Sequence, residues 1–210
     1  MNQDALKQAA ARAAVAQEIR SGMRVGLGTG STAEFALDEL GAALREGRLR
    51  DIVGVPTSEA TAGRARSLGI PLAELHEVET LDVTIDGADE IDPALNLIKG
   101  LGGALLREKM IAQATTGRYV VVSDGSKRVR RLGEKGSLPV EVVRFGWRYQ
   151  VARLAQFGAE ATRREEGGEP VVTDNGNFIL DCHFEDGIPD PEVLEWLLHA
   201  LAGVVEHGLF

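Results

Sequence analysis

Apolar positions in this chain switch repeatedly between two periods. From Leu81 the run Leu-Asp-Val-Thr-Ile places an apolar side chain at every second position, the period of a half-buried strand. It leads directly into Asp86-Gly87-Ala88-Asp89-Glu90. Met23 to Leu27, Asp51 to Pro56, Pro71 to Leu75 and Arg118 to Val122 read as further strands. Between them the apolar residues recur at three and four, which predicts helices over Met1 to Ile19, Thr32 to Leu44, about Ser58 to Leu68 and about Ala104 to Thr115. Strand and helix alternating in this way predict an α/β fold with a Rossmann-like, mostly parallel sheet flanked by helices.

The texture changes after Lys127. A basic stretch, Lys127-Arg128-Val129-Arg130-Arg131, precedes a strand at Val140 to Val143, a helix at Trp147 to Phe157, strands at Pro170 to Thr173 and Phe178 to Cys182, and a helix at Pro191 to Leu201. Asp174-Asn175-Gly176-Asn177 between the last two strands is a hairpin signal, because Asn and Gly tolerate positive φ. This order predicts a smaller α+β, ferredoxin-like domain. The reading therefore divides the chain into a Rossmann-like catalytic domain over 1–130 and a small domain over 131–203, with residues 204–210 returning to the first.

Composition narrows the partners. The 210 residues carry a formal net charge of −9, which disfavours nucleic acid and anionic membrane as partners, since both require a positive field. Cys182 is the single cysteine, so neither an intramolecular disulfide nor a cysteine-built zinc site is available, and a small buried hydrophobe is its plain reading. The N-terminal stretch is broken by Lys7, Arg12 and Glu18, unlike a secretory signal. No segment approaches the ~20 apolar residues of a membrane span. A cytoplasmic protein is expected.

Gly26-Leu27-Gly28-Thr29-Gly30-Ser31-Thr32 follows a strand and opens a helix. Glycines there let backbone approach a ligand, Ser31 and Thr32 are expected to cap the helix, and free amides at the helix start form an anion site suited to phosphate. A tight turn without a ligand is the plain alternative. Gly28 to Ala33 also fits the loose dinucleotide pattern G-x-G-x-x-A, but no acid stands at the end of the second strand, where Val55-Pro56-Thr57-Ser58 lies. A nicotinamide oxidoreductase is disfavoured on that ground. The dipeptide Gly-Lys of a nucleotide-binding Walker loop is absent from the chain.

The acidic cluster allows a solvated turn, a magnesium site or acid–base chemistry. Lys99, at the head of the loop Lys99-Gly100-Leu101-Gly102-Gly103, already supplies positive charge and argues against magnesium. An ammonium beside free amides suits a transient oxyanion such as an enediolate. Glu108 lies three residues after Leu105 and three and four before Ile111 and Ala112, on the apolar stripe of its helix. Desolvation makes such a carboxylate a better base near neutral pH, as proton abstraction beside a carbonyl requires. Pairing with Arg107 or Lys109 at the surface is the alternative. Lys127, after Ser123-Asp124-Gly125-Ser126, stands at the end of the next strand.

These residues bear a family likeness. Gly28-Thr29-Gly30-Ser31-Thr32, Asp86 to Glu90, Lys99 to Gly103 with Arg107-Glu108-Lys109, and Ser123 to Lys127 occur in an order and spacing that resembles ribose-5-phosphate isomerase of the A type over nearly the whole chain. Leu101 departs from the family's uninterrupted glycine run. The resemblance implies interconversion of ribose 5-phosphate and ribulose 5-phosphate through a cis-enediolate, without cofactor or metal. It makes Glu108 the base, Asp86 the group that opens the ring and manages hydroxyl protons, Asp89 a holder of sugar hydroxyls and Lys99 the counter-charge to the enediolate. Thr29, Gly30, Ser31 and Thr32 are expected to bind substrate, with Lys127 and Lys7 adding positive charge, and Gly87, Ala88, Gly100, Leu101 and Gly102 lining it. A homodimer or homotetramer is implied, the small domain taking part in assembly. A sugar-phosphate sensing module of similar fold is the rival reading; it would not need Glu108 and is normally joined to a basic DNA-binding segment, which this sequence lacks.

Overall fold

A computed structural model describes residues 3–210. Along the chain it contains α1 (Gln3–Glu18), β1 (Arg24–Leu27), α2 (Ser31–Arg45), β2 (Val53–Pro56), α3 (Glu59–Ser67), β3 (Leu81–Asp86), β4 (Glu90–Ile91), β5 (Leu97–Ile98), α4 (Leu105–Ala114) and β6 (Thr115–Val121). Then follow β7 (Leu138–Val142), α5 (Trp147–Ala155), β8 (Glu160–Arg163), β9 (Glu165–Glu166), β10 (Glu169–Pro170), β11 (Phe178–His183), α6 (Pro191–His199) and β12 (Val204–His207). The chain separates into two compact units. The first takes the residues up to Gly87 with Arg107–Ser126, and the second takes Ala88–Leu106 with Lys127–Phe210.

The first unit is built on a parallel sheet of order β2-β1-β3-β6. Val25, Leu27, Val83 and Ile85 turn to one face and pack with Ala36, Leu37 and Leu40 of α2 and Ala11, Ala14 and Val15 of α1. On the other face Val55 packs with Ile111 of α4, and Leu81, at the start of β3, joins that cluster. Residues of period two thus meet helical stripes on both sides, as a doubly covered parallel sheet requires. The chain runs from β1 to β2 on one side and then crosses to β3 on the other, so the strand order reverses between β1 and β3. Open α/β sheets bind ligands beyond the carboxyl ends of the strands at such a switch point, and here those ends are Leu27 and Asp86.

The second unit is an antiparallel sheet of order β12-β7-β11-β8. With α5 and α6 it forms the β-α-β-β-α-β layer of a ferredoxin-like fold. Leu138, Val140, Val142, Leu180 and Cys182 pack against Leu154 of α5 and Leu194 and Leu198 of α6. The last residues belong to this unit: β12 pairs with β7, and Leu97 and Phe210 exchange backbone bonds of 2.8 and 3.1 Å. This corrects the expectation that residues 204–210 return to the first unit.

Two expected strands shrink. Pro71 to Leu75 makes a single bridge, Gly54 with Leu72, and then enters a 3-10 turn at Leu75–Glu77. Pro170 to Thr173 keeps only Pro170 in β10 and a bridge from Val172 to Phe178. Proline has no N–H for a ladder and holds such segments at edges. The Asp174–Asn177 turn does form, with Gly176 at φ 83° and its N–H donating to Thr173 O at 2.9 Å. Buried Glu141 accepts from Thr173 Oγ1 and Asn177 Nδ2, each at 2.9 Å, and fixes that turn.

Candidate active site

In the first unit the site grows from the ends of β1 and β3. Gly28 leaves β1 with its N–H donating to Ile85 O at 3.0 Å. A Cβ at Gly28 would lie 2.2 Å from Asp86 Oδ1, so only glycine lets the loop pass this close to the carboxylate. Asp86 ends β3 and is fully buried. Its Oδ1 accepts from Gly87 N–H at 2.7 Å and its Oδ2 accepts from the Tyr119 hydroxyl at 3.1 Å. Its carbonyl accepts from Val122 N–H at 2.8 Å, which joins it to the strand end beyond β6. Tyr119 was not foreseen in this role, because nothing local in the sequence says which strand will neighbour β3.

The helix start differs from expectation in one respect. Gly30 is the N-cap of α2, so Ser31 and Thr32 occupy its first two helical positions and no side chain caps the helix. Free first-turn amides favour an anion. Lys7 of α1 donates from Nζ to Ser31 Oγ at 2.9 Å, which brings a cation to the same helix start. Thr29 turns the other way: its Oγ1 lies 2.6 Å from Thr57 Oγ1, 2.9 Å from Ser58 Oγ and 3.0 Å from Thr61 Oγ1. Ser58 in turn caps α3 by accepting from Thr61 N–H at 3.0 Å. This hydroxyl cluster ties the loop after β1 to the loop after β2. It was latent in Val55-Pro56-Thr57-Ser58, a second βα turn.

Glu108 stands in the first turn of α4 and is 3% exposed. Leu105 and Ile111 are buried with it, so the predicted stripe is real. Ile111 also marks the direction of that stripe, since a Cβ at Gly26 of β1 would meet its Cγ2 at 2.7 Å. The neighbouring Arg107 points elsewhere and donates to Glu59 Oε1 at 3.0 Å.

The second unit carries the remaining candidates. Ala88 is buried, and Asp89 is half-buried with its N–H donating to Ile98 O at 2.8 Å. Asp89 Oδ2 accepts from Leu101 N–H at 3.0 Å, so this carboxylate holds the lysine loop. Lys99 is 2% exposed, its N–H donating to Gly208 O at 2.9 Å and its Nζ lying 5.5 Å from the Phe210 ring centre. That is cation–π range. Gly100 and Gly103, at φ 101° and 81°, carry the left-handed positions of the loop. Leu101 and Gly102 do not, and Leu101 is 50% exposed. Between Gly100 and Gly103 the single side chain thus stands where a glycine is not required.

Arg164 completes this loop and was invisible to pattern reading. Its Nη1 donates to Gly100 O at 3.1 Å and Leu101 O at 2.9 Å, while its Nε donates to Asp181 Oδ2 at 2.9 Å. Glu90, part of the acidic cluster in sequence, has a different task. Its buried carboxylate accepts from the N–H groups of Gly133, Lys135 and Gly136 at 2.6, 2.8 and 2.7 Å and pins that loop. Lys127 is half-buried at the end of a 3-10 turn, Gly125–Lys127. In the first unit, hydrogen bonds from the Ser126 hydroxyl and N–H, then from Gln3, hold the Asp124 carboxyl down at about 2, so it is an anion at neutral pH. Among the described residues no helix is long and apolar enough to cross a membrane.

Comparison with known proteins places the chain in a family. Residues 53–210 match the family described as ribose 5-phosphate isomerase A (phosphoriboisomerase A). A ribose-5-phosphate isomerase A of Roseiflexus castenholzii is 58% identical over 193 residues, spanning 91% of this chain and 82% of that protein. A solved D-ribose-5-phosphate isomerase in complex with phospho-erythronic acid superposes with a TM-score of 0.96 at 43% identity, covering 100% of this chain and 91% of that one. The ribose 5-phosphate isomerase of Plasmodium falciparum superposes with a TM-score of 0.95 at 40% identity, covering 99% and 90%.

Proposed function

The chain belongs to the ribose 5-phosphate isomerase A family, and we propose that Glu108 is the base of its reaction. That reaction is the interconversion of ribose 5-phosphate and ribulose 5-phosphate, the isomerase step of the pentose phosphate pathway. One observation carries the proposal: a carboxylate buried on the apolar stripe of α4, where a structural role predicts a hydrophobe. In this reading Glu108 removes the proton from C2 of the open-chain aldose and returns it to C1, passing through a cis-enediolate. Asp86, seated by Tyr119 and Gly87, assists ring opening and carries the hydroxyl proton between O1 and O2.

Asp89 holds sugar hydroxyls, and Lys99 offsets the charge that develops on the enediolate oxygens. The uncapped start of α2, with Thr29, Gly30, Ser31, Thr32 and Lys7, takes the phosphate. Lys127 adds a further positive charge. A sugar-phosphate sensing module is not favoured, since it has no use for a buried base.

Assembly and location extend the same proposal. The second unit exposes Phe145 at 93%, Trp196 at 70% and Tyr149 at 65%, apolar surface that supports a homodimer or homotetramer. A single buried cysteine suits the reducing cytoplasm.

Two measurements test the chemistry. Proton NMR of ribose 5-phosphate in deuterated water should show ketose formation with deuterium entering at the exchanging carbon. Glu108→Gln should lower kcat by ~100-fold or more while leaving KM nearly unchanged, the scale of a lost general base. Undiminished turnover would remove Glu108 from the mechanism. Phospho-erythronic acid, in complex with a solved relative, carries a planar carboxylate that resembles the planar enediolate, so competitive inhibition is expected. Inhibition that substrate does not relieve would place that acid elsewhere.

A further inference from the structure

The second unit gathers imidazole and carboxylate groups at a place the isomerase reaction does not use. Glu195 and His199 are four residues apart on α6 and share a face of that helix. A short turn then leads to β12, which supplies Glu206 and the fully buried His207. His207 Nε2 is 3.2 Å from His199 Nε2. Glu206 Oε1 lies 3.4 Å from His199 Nε2 and 3.5 Å from His207 Nε2. Glu195 joins them, since it, His199 and His207 each offer a donor atom and these lie within 4.8 Å of one another.

These separations have a geometric meaning. Four ligands at about 2.0–2.1 Å around a tetrahedral zinc ion stand roughly 3.3–3.4 Å from one another, the edge of the tetrahedron. The three short distances bracket that edge. We propose that His199, His207, Glu206 and Glu195 form a site for a divalent transition-metal ion, with two imidazole nitrogens and two carboxylate oxygens suited to zinc.

Metal uptake requires a change of tautomer at His207. Without metal, His207 Nδ1 accepts from Leu209 N–H at 3.3 Å, which leaves the ring proton on Nε2 to bridge to His199 or Glu206. Binding at Nε2 moves that proton to Nδ1, and the long Leu209 bond is given up. His199 is partly exposed, with 49% of its side chain accessible, so the ion has an entry path and the outer ligand can be changed without disturbing the core. Occupancy ties α6 to β12 next to Gly208, whose carbonyl accepts from Lys99 N–H.

The test uses the full chain without an affinity tag, stripped with EDTA and dialysed. Titration calorimetry with zinc chloride should give one site per chain, with low-micromolar or tighter affinity and a raised Tm. X-ray absorption should show nitrogen and oxygen ligands alone at about 2.0–2.1 Å. His199→Ala and Glu195→Gln, each first shown to match the unaltered protein in circular dichroism and metal-free Tm, should weaken binding. His199→Ala removes a ligand and should exceed the ~10–100-fold loss caused by changes outside the ligand shell. No uptake by the unaltered chain would reduce the cluster to a hydrogen-bonded histidine pair and overturn the proposal. Equal uptake by His199→Ala would overturn it too, by placing the ion elsewhere.

Discussion

Alanine at Gly28 tests whether the first loop seats Asp86. The added Cβ would lie 2.2 Å from Asp86 Oδ1, 2.5 Å from its Cγ and 2.6 Å from its Cα. Carbon atoms in ordinary contact stand about 3.5–4.0 Å apart, so the loop and the end of β3 must part by roughly 1 Å. A flexible side-chain tip would swing away from such a collision, but Cα belongs to a strand held on both sides by β1 and β6. Overpacking of this kind costs about 1–3 kcal/mol. In a chain of 210 residues that corresponds to a Tm lower by about 2–12 °C, at roughly 2–4 °C per kcal/mol. Misplacing a reacting group by ~1 Å costs on the order of 100-fold, and kcat/KM should fall by that much. Gly63 is the control, because it lies within α3, is exposed, and a Cβ there meets nothing within 4 Å. Gly63→Ala should raise stability by roughly 0.5–1 kcal/mol and leave kcat/KM unchanged. Thermal unfolding followed by circular dichroism and a coupled isomerase assay read both quantities. Unaltered Tm and kcat/KM in Gly28→Ala would refute the argument that close packing of this loop positions the carboxylate.

Two further outcomes follow from buried groups. Glu90→Ala strips three backbone amides of their acceptor and should destabilise the chain by about 3–5 kcal/mol, seen as a lower urea midpoint at unchanged m; a loss below ~1 kcal/mol would mean water replaces the carboxylate. Burial, with Asp181 adding to it, pushes the Cys182 thiol well above the usual range. Native protein should therefore leave a thiol reagent unconsumed at about pH 8 and consume one equivalent in urea, while rapid native labelling would contradict the burial of this thiol.

The chain's own pattern determined the elements and much of the chemistry. Period-two runs at Met23 to Leu27 and Leu81 to Ile85, and the helical stripe through Leu105, Glu108 and Ile111, are local signals, because strand and helix periods are properties of a few consecutive residues. Glycines at 28 and 30 and the carboxylates at 86 and 89 were legible for the same reason: each lies at, or just after, the end of a strand. What escaped were polar elements and partners brought from far away. Glu160 to Arg163 has no apolar alternation, yet it forms β8 because β11 offers an unpaired edge. Tyr119 reaches Asp86, Arg164 reaches the loop after Lys99, and His207 meets His199 only once sheet order and helix packing are set. Glu90 and Glu108 show the division most clearly. Both are acids beside a motif, and only tertiary structure decides that one is consumed by three backbone amides while the other stands on a buried helical face. A side chain's identity is written in sequence; its solvation and its partners are properties of the folded neighbourhood.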